Sequence, residues 1–367
     1  MERRRIVELW RSGADGVLVT LVRAEGSSYR RPGARLLTGG EEHAGTISGG
    51  CLESEVVRKA GWLTRNGAVV ERYTTLFDDT AEMPFGLGCG GAIDLLLEPV
   101  RTEEAEALLE AMAASLEGRE SRVVSFLPAQ GMALRRVVFG SAGEVLFASE
   151  GLSGERMECA RALGPDDEHE GRFVEPLRSP QRLFVLGAGD DARPVASMAA
   201  LLGWRVVVGD GRAQLARAER FPDAVDVRLV QDAAELGVRP EDAVVLMTHS
   251  YEQDRALLRG LLALPVGPRY LGLLGSRHRS SVLVSEVAAM LGRSVEECCA
   301  RLFAPVGLDL GGDGPEAIAL AVVAEVQACC EGRLGASRRL SAEEILGQLA
   351  EGGTSRYLQV QCGLEVA

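Results

Sequence analysis

No apolar run in this sequence approaches the roughly 18 residues needed to cross a bilayer, so no membrane-spanning helix is expected. The eight cysteines (Cys51, Cys89, Cys159, Cys298, Cys299, Cys329, Cys330 and Cys362) include no C-x-x-C pair, which disfavours a zinc knuckle. Four histidines, His43, His169, His249 and His278, are too scattered to build a metal site between them. Basic residues are in deficit. Lys and Arg number 40 against 53 Asp and Glu, for a net charge of −13. Clustered cation is what holds a phosphate backbone, so nucleic acid is excluded as the general partner. No secretory leader is expected: the basic start leads into a strand-length apolar run, 17–22, with no small-residue cleavage site. The cysteines are therefore expected to be reduced and the protein cytoplasmic.

What is present is ordinary globular composition, 46% hydrophobic and 25% charged. At about 100–200 residues per domain, 367 residues predict two domains. The stretch 164–181, GPDDEHEGRFVEPLRSPQ, carries three prolines and an acidic cluster, and reads as a linker with one short strand. We expect an amino-terminal domain over 1–178, a carboxy-terminal domain over 181–333 and an extension, 334–367, holding one amphipathic helix over 342–349.

The first half predicts a mixed α+β domain. Helices are expected over 3–12, 53–66 and 102–116, the last opened by Thr102 in the cap position. Strands are expected over 16–24, 35–38, 45–48, 68–75, 92–98, 121–127, 133–139 and 144–148. The second half alternates strands (182–186, 205–209, 243–247, 270–274) with helices (192–202, 253–263, 316–327), the rhythm of β-α-β units in a parallel, doubly wound sheet.

Gly187-Ala188-Gly189-Asp190-Asp191-Ala192 follows a strand and opens a helix, and Asp210 closes the next strand about 20 residues on. This is a Rossmann fingerprint in its required context. Gly187 permits the tight turn, Gly189 lets backbone approach a diphosphate, and Asp210 can accept from a ribose hydroxyl. Asp190 and Asp191 complicate the reading, because two carboxylates at a helix start satisfy its dipole and repel an anion. Helix capping by Asp191 is the plainer alternative. The other strand ends bring Thr248, His249 and Ser250, and Ser276, Arg277, His278 and Arg279, to the same edge. Arg277 and Arg279 can hold a phosphate, and His249 can exchange protons. The loop 307–315, GLDLGGDGP, is either a ligand loop or a tight helix start with Pro315 in the first turn.

The first half holds two glycine-flanked cysteines. Cys51, in GGCLE, starts a helix, where the dipole favours thiolate and raises nucleophilicity and metal affinity. Glu53, one turn in, opposes this. Cys89 sits in GLGCGG. The loop GSSYRRPG offers Ser27, Ser28, Arg30 and Arg31 as an anion cradle. The vicinal cysteines at 298–299 and 329–330 read as core. From these residues alone three readings stay open: a cofactor-handling protein, an NAD(P)-dependent oxidoreductase with His249 as acid–base group, and a non-catalytic scaffold with a vestigial nucleotide site.

Taken together, the blocks EGSSYRRPGA, ISGGCLE, GCGGAIDLLLE, FVEPL, LFVLGAGDDA, VLMTHS, LGLLGSR and PVGLDLGGDGPE resemble the XdhC/CoxI family. Their order and spacing fit it from about residue 17 to 326. Tyr29 departs from the proline often found at its position in that family. The resemblance implies an accessory factor, rather than a turnover enzyme, in the maturation of xanthine dehydrogenase and carbon monoxide dehydrogenase. Such a factor binds the molybdenum cofactor (molybdopterin or its dinucleotide form), protects it while a cysteine desulfurase supplies its terminal sulfur, and delivers it to an apo molybdenum hydroxylase. It also implies a homodimer. On this reading Arg30, Arg31, Arg277 and the Rossmann turn would meet phosphate, and Cys51 would contact molybdenum.

Overall fold

The structure is a computed structural model that describes residues 1–26, 28–40, 42–50, 52–74, 92–129, 131–164 and 171–336. Ser27, Cys51, Cys89 and the expected helix over 342–349 lie outside the described residues.

The amino-terminal half contains α1 (Glu2–Arg11), β1 (Val17–Glu25), β2 (Arg35–Gly39), β3 (Glu42–Gly45), α2 (Glu53–Leu63), β4 (Val69–Thr74), β5 (Ala92–Pro99) and α3 (Glu103–Leu116). β6 (Ser121–Phe126), β7 (Arg135–Gly140), β8 (Val145–Ala148), α4 (Gly154–Ala162) and β9 (Arg172–Leu177) complete it. Two antiparallel sheets result, in the orders β3-β2-β1-β5-β4 and β8-β7-β6-β9. Period-two alternation along β1 divides the first core. Leu18 packs toward α1 and α3, while Val19 and Leu21 pack toward α2. Helix α3 lies between the sheets, burying Leu108, Leu109 and Met112 with Val123 and Val138 of the second. Thr102 caps α3 with its hydroxyl, accepting from the Ala105 amide. In the interior Arg136 of β7 meets Glu98 of β5 through two hydrogen bonds of 2.8 and 3.1 Å, with both side chains at 1% exposure or less.

The acidic connection resolves into structure where it is described. β9 runs antiparallel to β6 over six residue pairs, Ser121 facing Leu177. Only four residues then lead to the next strand. Helix α4 was invisible to periodicity because only Ala160 of its residues is buried. The short strand expected over 45–48 is instead β3, which starts three residues earlier, where pairing with β2 places it.

The carboxy-terminal half contains β10 (Arg182–Leu186), α5 (Ala192–Leu201), β11 (Arg205–Asp210), β12 (Asp226–Leu229), β13 (Ala243–Leu246), α6 (Tyr251–Ala263), β14 (Tyr270–Leu273), α7 (Arg277–Leu291), α8 (Val295–Cys299) and α9 (Pro315–Cys330). All five strands are parallel, in the order β12-β11-β10-β13-β14. The chain order reverses on either side of β10, so its carboxyl end is the switch point where ligands bind in open α/β sheets. Leu183 and Val185 pack against α5 and α9, and Phe184 and Leu186 against α6 and α7. Both faces of β10 are thus covered, which explains its uninterrupted apolar run. Each such Leu or Val contributes about 1.5–3 kcal/mol through burial. β12, the half-exposed four-residue DVRL at the sheet edge, is too short for its alternation to signal a strand and went unread. So did α7, whose four buried aliphatic and alanine side chains sit among serines and β-branched residues. Gly314 is the N-cap of α9 and Pro315 its first residue, the helix start that was one of the two readings of that loop.

Candidate functional site

The arginine loop joins β1 to β2. It is pinned by Gly33, whose amide donates to the Leu21 carbonyl at 2.8 Å, and by the Ala34 amide donating to the Arg31 carbonyl at 3.1 Å. The loop forms one wall of a cavity of about 450 Å³, whose other walls are α1 and Met112 of α3. Four arginines line it: Arg3, Arg30, Arg31 and Arg35. Arg30 pairs with Glu2, and Arg35 pairs with Glu175 in a nearly buried contact. Arg3 donates to Ser115 at 2.8 Å and to the Arg178 carbonyl at 2.7 Å. Arg31 is exposed and makes no ion pair among the described residues. The Ser28 hydroxyl is turned into the loop, donating to the Arg30 carbonyl.

The loop before α2 is organised by the residue expected to oppose Cys51. Glu53, 7% exposed, turns its carboxylate back under the chain. Oε1 accepts the amides of Ile47, Ser48 and Gly49 at 3.0, 2.9 and 3.2 Å. Oε2 accepts the amides of Gly50 and Leu52 and the Ser48 hydroxyl, at 2.9, 3.2 and 2.6 Å. Burial pushes this carboxyl up, but the Ser48 and backbone donors outweigh it and hold it at about 2. Five amides of the 47–52 segment are therefore turned to this one carboxylate. The two motif loops also meet. A Cβ on Gly49 would lie 2.8 Å from the Tyr29 ring, so glycine is what admits that contact.

At the switch point Gly187, with φ of +125°, has no room for a side chain, because a Cβ would sit 2.3 Å from the Met247 carbonyl. A Cβ at Gly189 would meet Asp191 at 2.7 Å and the His249 ring at 3.2 Å. The space above Gly189, where a diphosphate would approach backbone, is thus held by the protein's own side chains. Asp191 occupies the N-cap position of α5 without capping it by a side-chain hydrogen bond. Its Oδ2 instead faces His249 Nε2 at 3.3 Å. Asp190 pairs with Arg220 at 2.8 Å. Asp210 is fully buried. Its Oδ2 accepts the Ala188 amide at 2.7 Å and Arg212 Nη2 at 2.8 Å, and its Oδ1 accepts the Arg212 amide and Nε, both at 2.9 Å. Burial raises the Asp210 pKa, but Arg212 and the two amides carry it below its ordinary value.

Arg279, expected to be available for phosphate, is tied to the buried Asp254 at 2.6 Å. Asp254 also accepts the Thr248 hydroxyl at 2.6 Å, so α7 and α6 jointly fix the turn that carries His249. Arg277 is the exposed first residue of α7, with Ser276 as its cap.

The structure gathers the site residues into two groups rather than one. Contacts between the halves fall at the starts of the parallel strands. Arg205, opening β11, donates to the Leu116 carbonyl at the end of α3 at 2.9 Å, and a Cβ on Gly203 would lie 2.4 Å from the Met1 amine. The switch point is at the strands' other ends, about 17 Å away at 3.3 Å per residue. The arginine loop and the Rossmann turn, both expected to meet the cofactor's phosphate, are therefore two separate sites. Sequence reading missed Arg3, Arg35, Arg212, Arg220 and Asp254. Only Arg212, two residues beyond the strand-ending acid, carried a local signal. Among the described residues no cluster of three or more His, Cys, Asp or Glu could hold a metal, and no helix is long and apolar enough to cross a membrane.

Comparison with known proteins matches residues 9–74 to the XdhC and CoxI family and residues 183–326 to the XdhC Rossmann domain. The chain is 30% identical over 328 residues to a probable xanthine dehydrogenase subunit from Bacillus subtilis, covering 85% of this chain and 92% of that protein. It is 28% identical over 342 residues to the molybdenum cofactor insertion chaperone PaoD of Escherichia coli, covering 93% and 89%. Among solved structures, a crystal structure described as a xanthine dehydrogenase from Bacillus halodurans superposes with a TM-score of 0.76 at 28% identity, covering 94% of this chain and all of that one.

Proposed function

The chain belongs to the XdhC and CoxI family, and from that premise we propose that it carries the molybdenum cofactor as cargo to an apo molybdenum hydroxylase of the xanthine dehydrogenase type. The observation that carries this reading is the four-arginine cavity beside the loop that leads into α2. A pterin cofactor ends in a phosphate or a nucleotide diphosphate, and guanidinium groups meet such oxygens with paired, charge-assisted hydrogen bonds. Arg31, exposed and unpaired among the described residues, is the first point of contact. Arg30 joins by exchanging Glu2 for the cargo. Cys51 is assigned the soft, sulfur-rich metal end, where a thiolate is the matching ligand. In the finer scheme a cysteine desulfurase installs the terminal sulfur while the cargo is held, and the protein works as a homodimer. The Rossmann edge is a separate nucleotide site.

The test is anaerobic mixing with molybdenum cofactor released from a molybdoenzyme, followed by gel filtration and molybdenum analysis. Native protein is expected to retain stoichiometric metal, and Arg31→Ala and Cys51→Ala to lose it. Retention unaffected by Cys51→Ala moves the metal contact toward Cys89. No retention by the native protein overturns the reading. A sedimentation mass of 39.1 kDa rather than about twice that value removes the homodimer.

A further inference from the structure

The Rossmann edge departs from the pattern that recognises an unmodified ribose. In that pattern a strand-ending carboxylate accepts from the ribose hydroxyls, whereas a nearby arginine marks accommodation of a 2′-phosphate. Asp210 occupies the carboxylate position but is closed to a ligand. It has no exposed surface, and four donors fill its two oxygens. A carboxylate offers about four acceptor directions, so a ribose hydroxyl would have to displace Arg212. Arg212 lies over it side-on, engaging it through Nε and one N–H of Nη2. Its three remaining N–H groups have no partner among the described residues, and the side chain is 37% exposed. Arg220 comes from the same segment after β11 and reaches the same turn, where it holds the highly exposed Asp190. Arg212 rests on Asp210, which binds the Ala188 amide, and Arg220 holds Asp190 two residues on, so both arginines are tied to the same 188–190 turn. The diphosphate seat over Gly189 is meanwhile occupied by Asp191 and His249. The anchoring anion of any ligand here falls to Arg212 and Arg220.

Resting on the reading of this edge as a nucleotide site, we propose that it selects nucleotides phosphorylated on the ribose 2′ oxygen, with Arg212 and Arg220 as the phosphate ligands and Asp190 as the internal anion the phosphate displaces. The glutamate or aspartate of an unmodified-ribose site is here converted into the support that aims an arginine. No chemical step is implied, only selection by charge.

The experiment is calorimetric titration of the full chain with adenosine 2′-monophosphate and adenosine 5′-monophosphate, and with NADPH and NADH. We expect the 2′-phosphorylated member of each pair to bind at least about tenfold tighter. Arg212→Gln should erase the difference. Because Arg212 also supports buried Asp210, Arg220→Gln serves as the second variant. Its one ion pair is with an exposed carboxylate, so the fold is retained and the preference should fall severalfold. Equal binding within each pair refutes 2′-phosphate selection while leaving a nucleotide site. A preference intact in both variants refutes the two arginines as its source. No binding of any of the four nucleotides refutes the selection together with the nucleotide reading itself.

Discussion

Glu53→Gln is the sharpest probe of how the loop before α2 is held. The carboxylate accepts five backbone amides and one hydroxyl. A glutamine keeps the shape but offers one acceptor oxygen, and turns an NH2 group toward amides that also donate. A carboxyl held at about 2 rather than the ordinary 4.5 corresponds, at about 1.4 kcal/mol per tenfold, to about 3 kcal/mol favouring the folded state. The sign follows from the depression of the folded-state value. The stabilisation is complete above the unfolded pKa and is lost as pH falls from about 5 toward 2. Chemical denaturation at pH 7 should therefore show the variant less stable by about 3 kcal/mol, or roughly 6–12 °C in the midpoint of the domain's transition. Repeated at lower pH, the gap between native and variant should close, because a protonated glutamic acid and a glutamine are nearly equivalent there. A gap under about 0.5 kcal/mol at pH 7, or one that stays constant with pH, would refute the account of the loop as a carboxylate nest.

Other perturbations follow from the same geometry. Arg136→Met strands the fully buried Glu98 carboxylate and should cost about 3–5 kcal/mol, whereas adding Glu98→Leu should recover much of it, as a double-mutant cycle in urea would measure. Gly187→Ala places a methyl within 2.3 Å of the Met247 carbonyl and should destabilise the carboxy-terminal domain by more than about 2 kcal/mol, while Gly13→Ala, with open space and φ of +88°, should cost about 1 kcal/mol. Burial and the Glu325 hydrogen bond push the Tyr270 phenol up, so its absorbance should show no ionisation until the protein unfolds in alkali. Burial likewise pushes the Cys330 thiol to about 11. At pH 7 mass spectrometry should find Cys330 modified by iodoacetamide far more slowly than a thiol of ordinary pKa.

The parallel half was legible because its strands are covered on both faces, so apolar runs, glycine turns and ten-residue helical patterns fall in a fixed rhythm. Leu183–Leu186, Gly187 and the Pro315 helix start are local facts of that kind, and so is the Thr102 cap. The family was legible for the same reason, since its motif blocks are contiguous. Elements whose stability comes from their neighbours were not legible. The edge strand β12 is only four half-exposed residues, and the one short strand expected in the connection gave no hint that it joins a sheet, as β9 does through six residue pairs with β6.

The sites divide along the same line. Residue types and spacing were enough to single out the arginine loop, the glycine-flanked cysteine and the Rossmann turn. Sequence could not say that Glu53 fills the amides around the cysteine loop, because a carboxylate one turn into a helix reads as an opposing charge until the chain is seen to fold back over it. Nor could it say that Asp210 is shut and Arg212 presented, that Arg279 belongs to Asp254, or that the arginine loop and the Rossmann edge form two separate sites. Those are contacts between residues far apart in the chain or choices among neighbours competing for one acceptor. Hydrogen bonding inside a crowded interior is decided by which donors packing brings to each lone pair, and only the tertiary structure settles that competition.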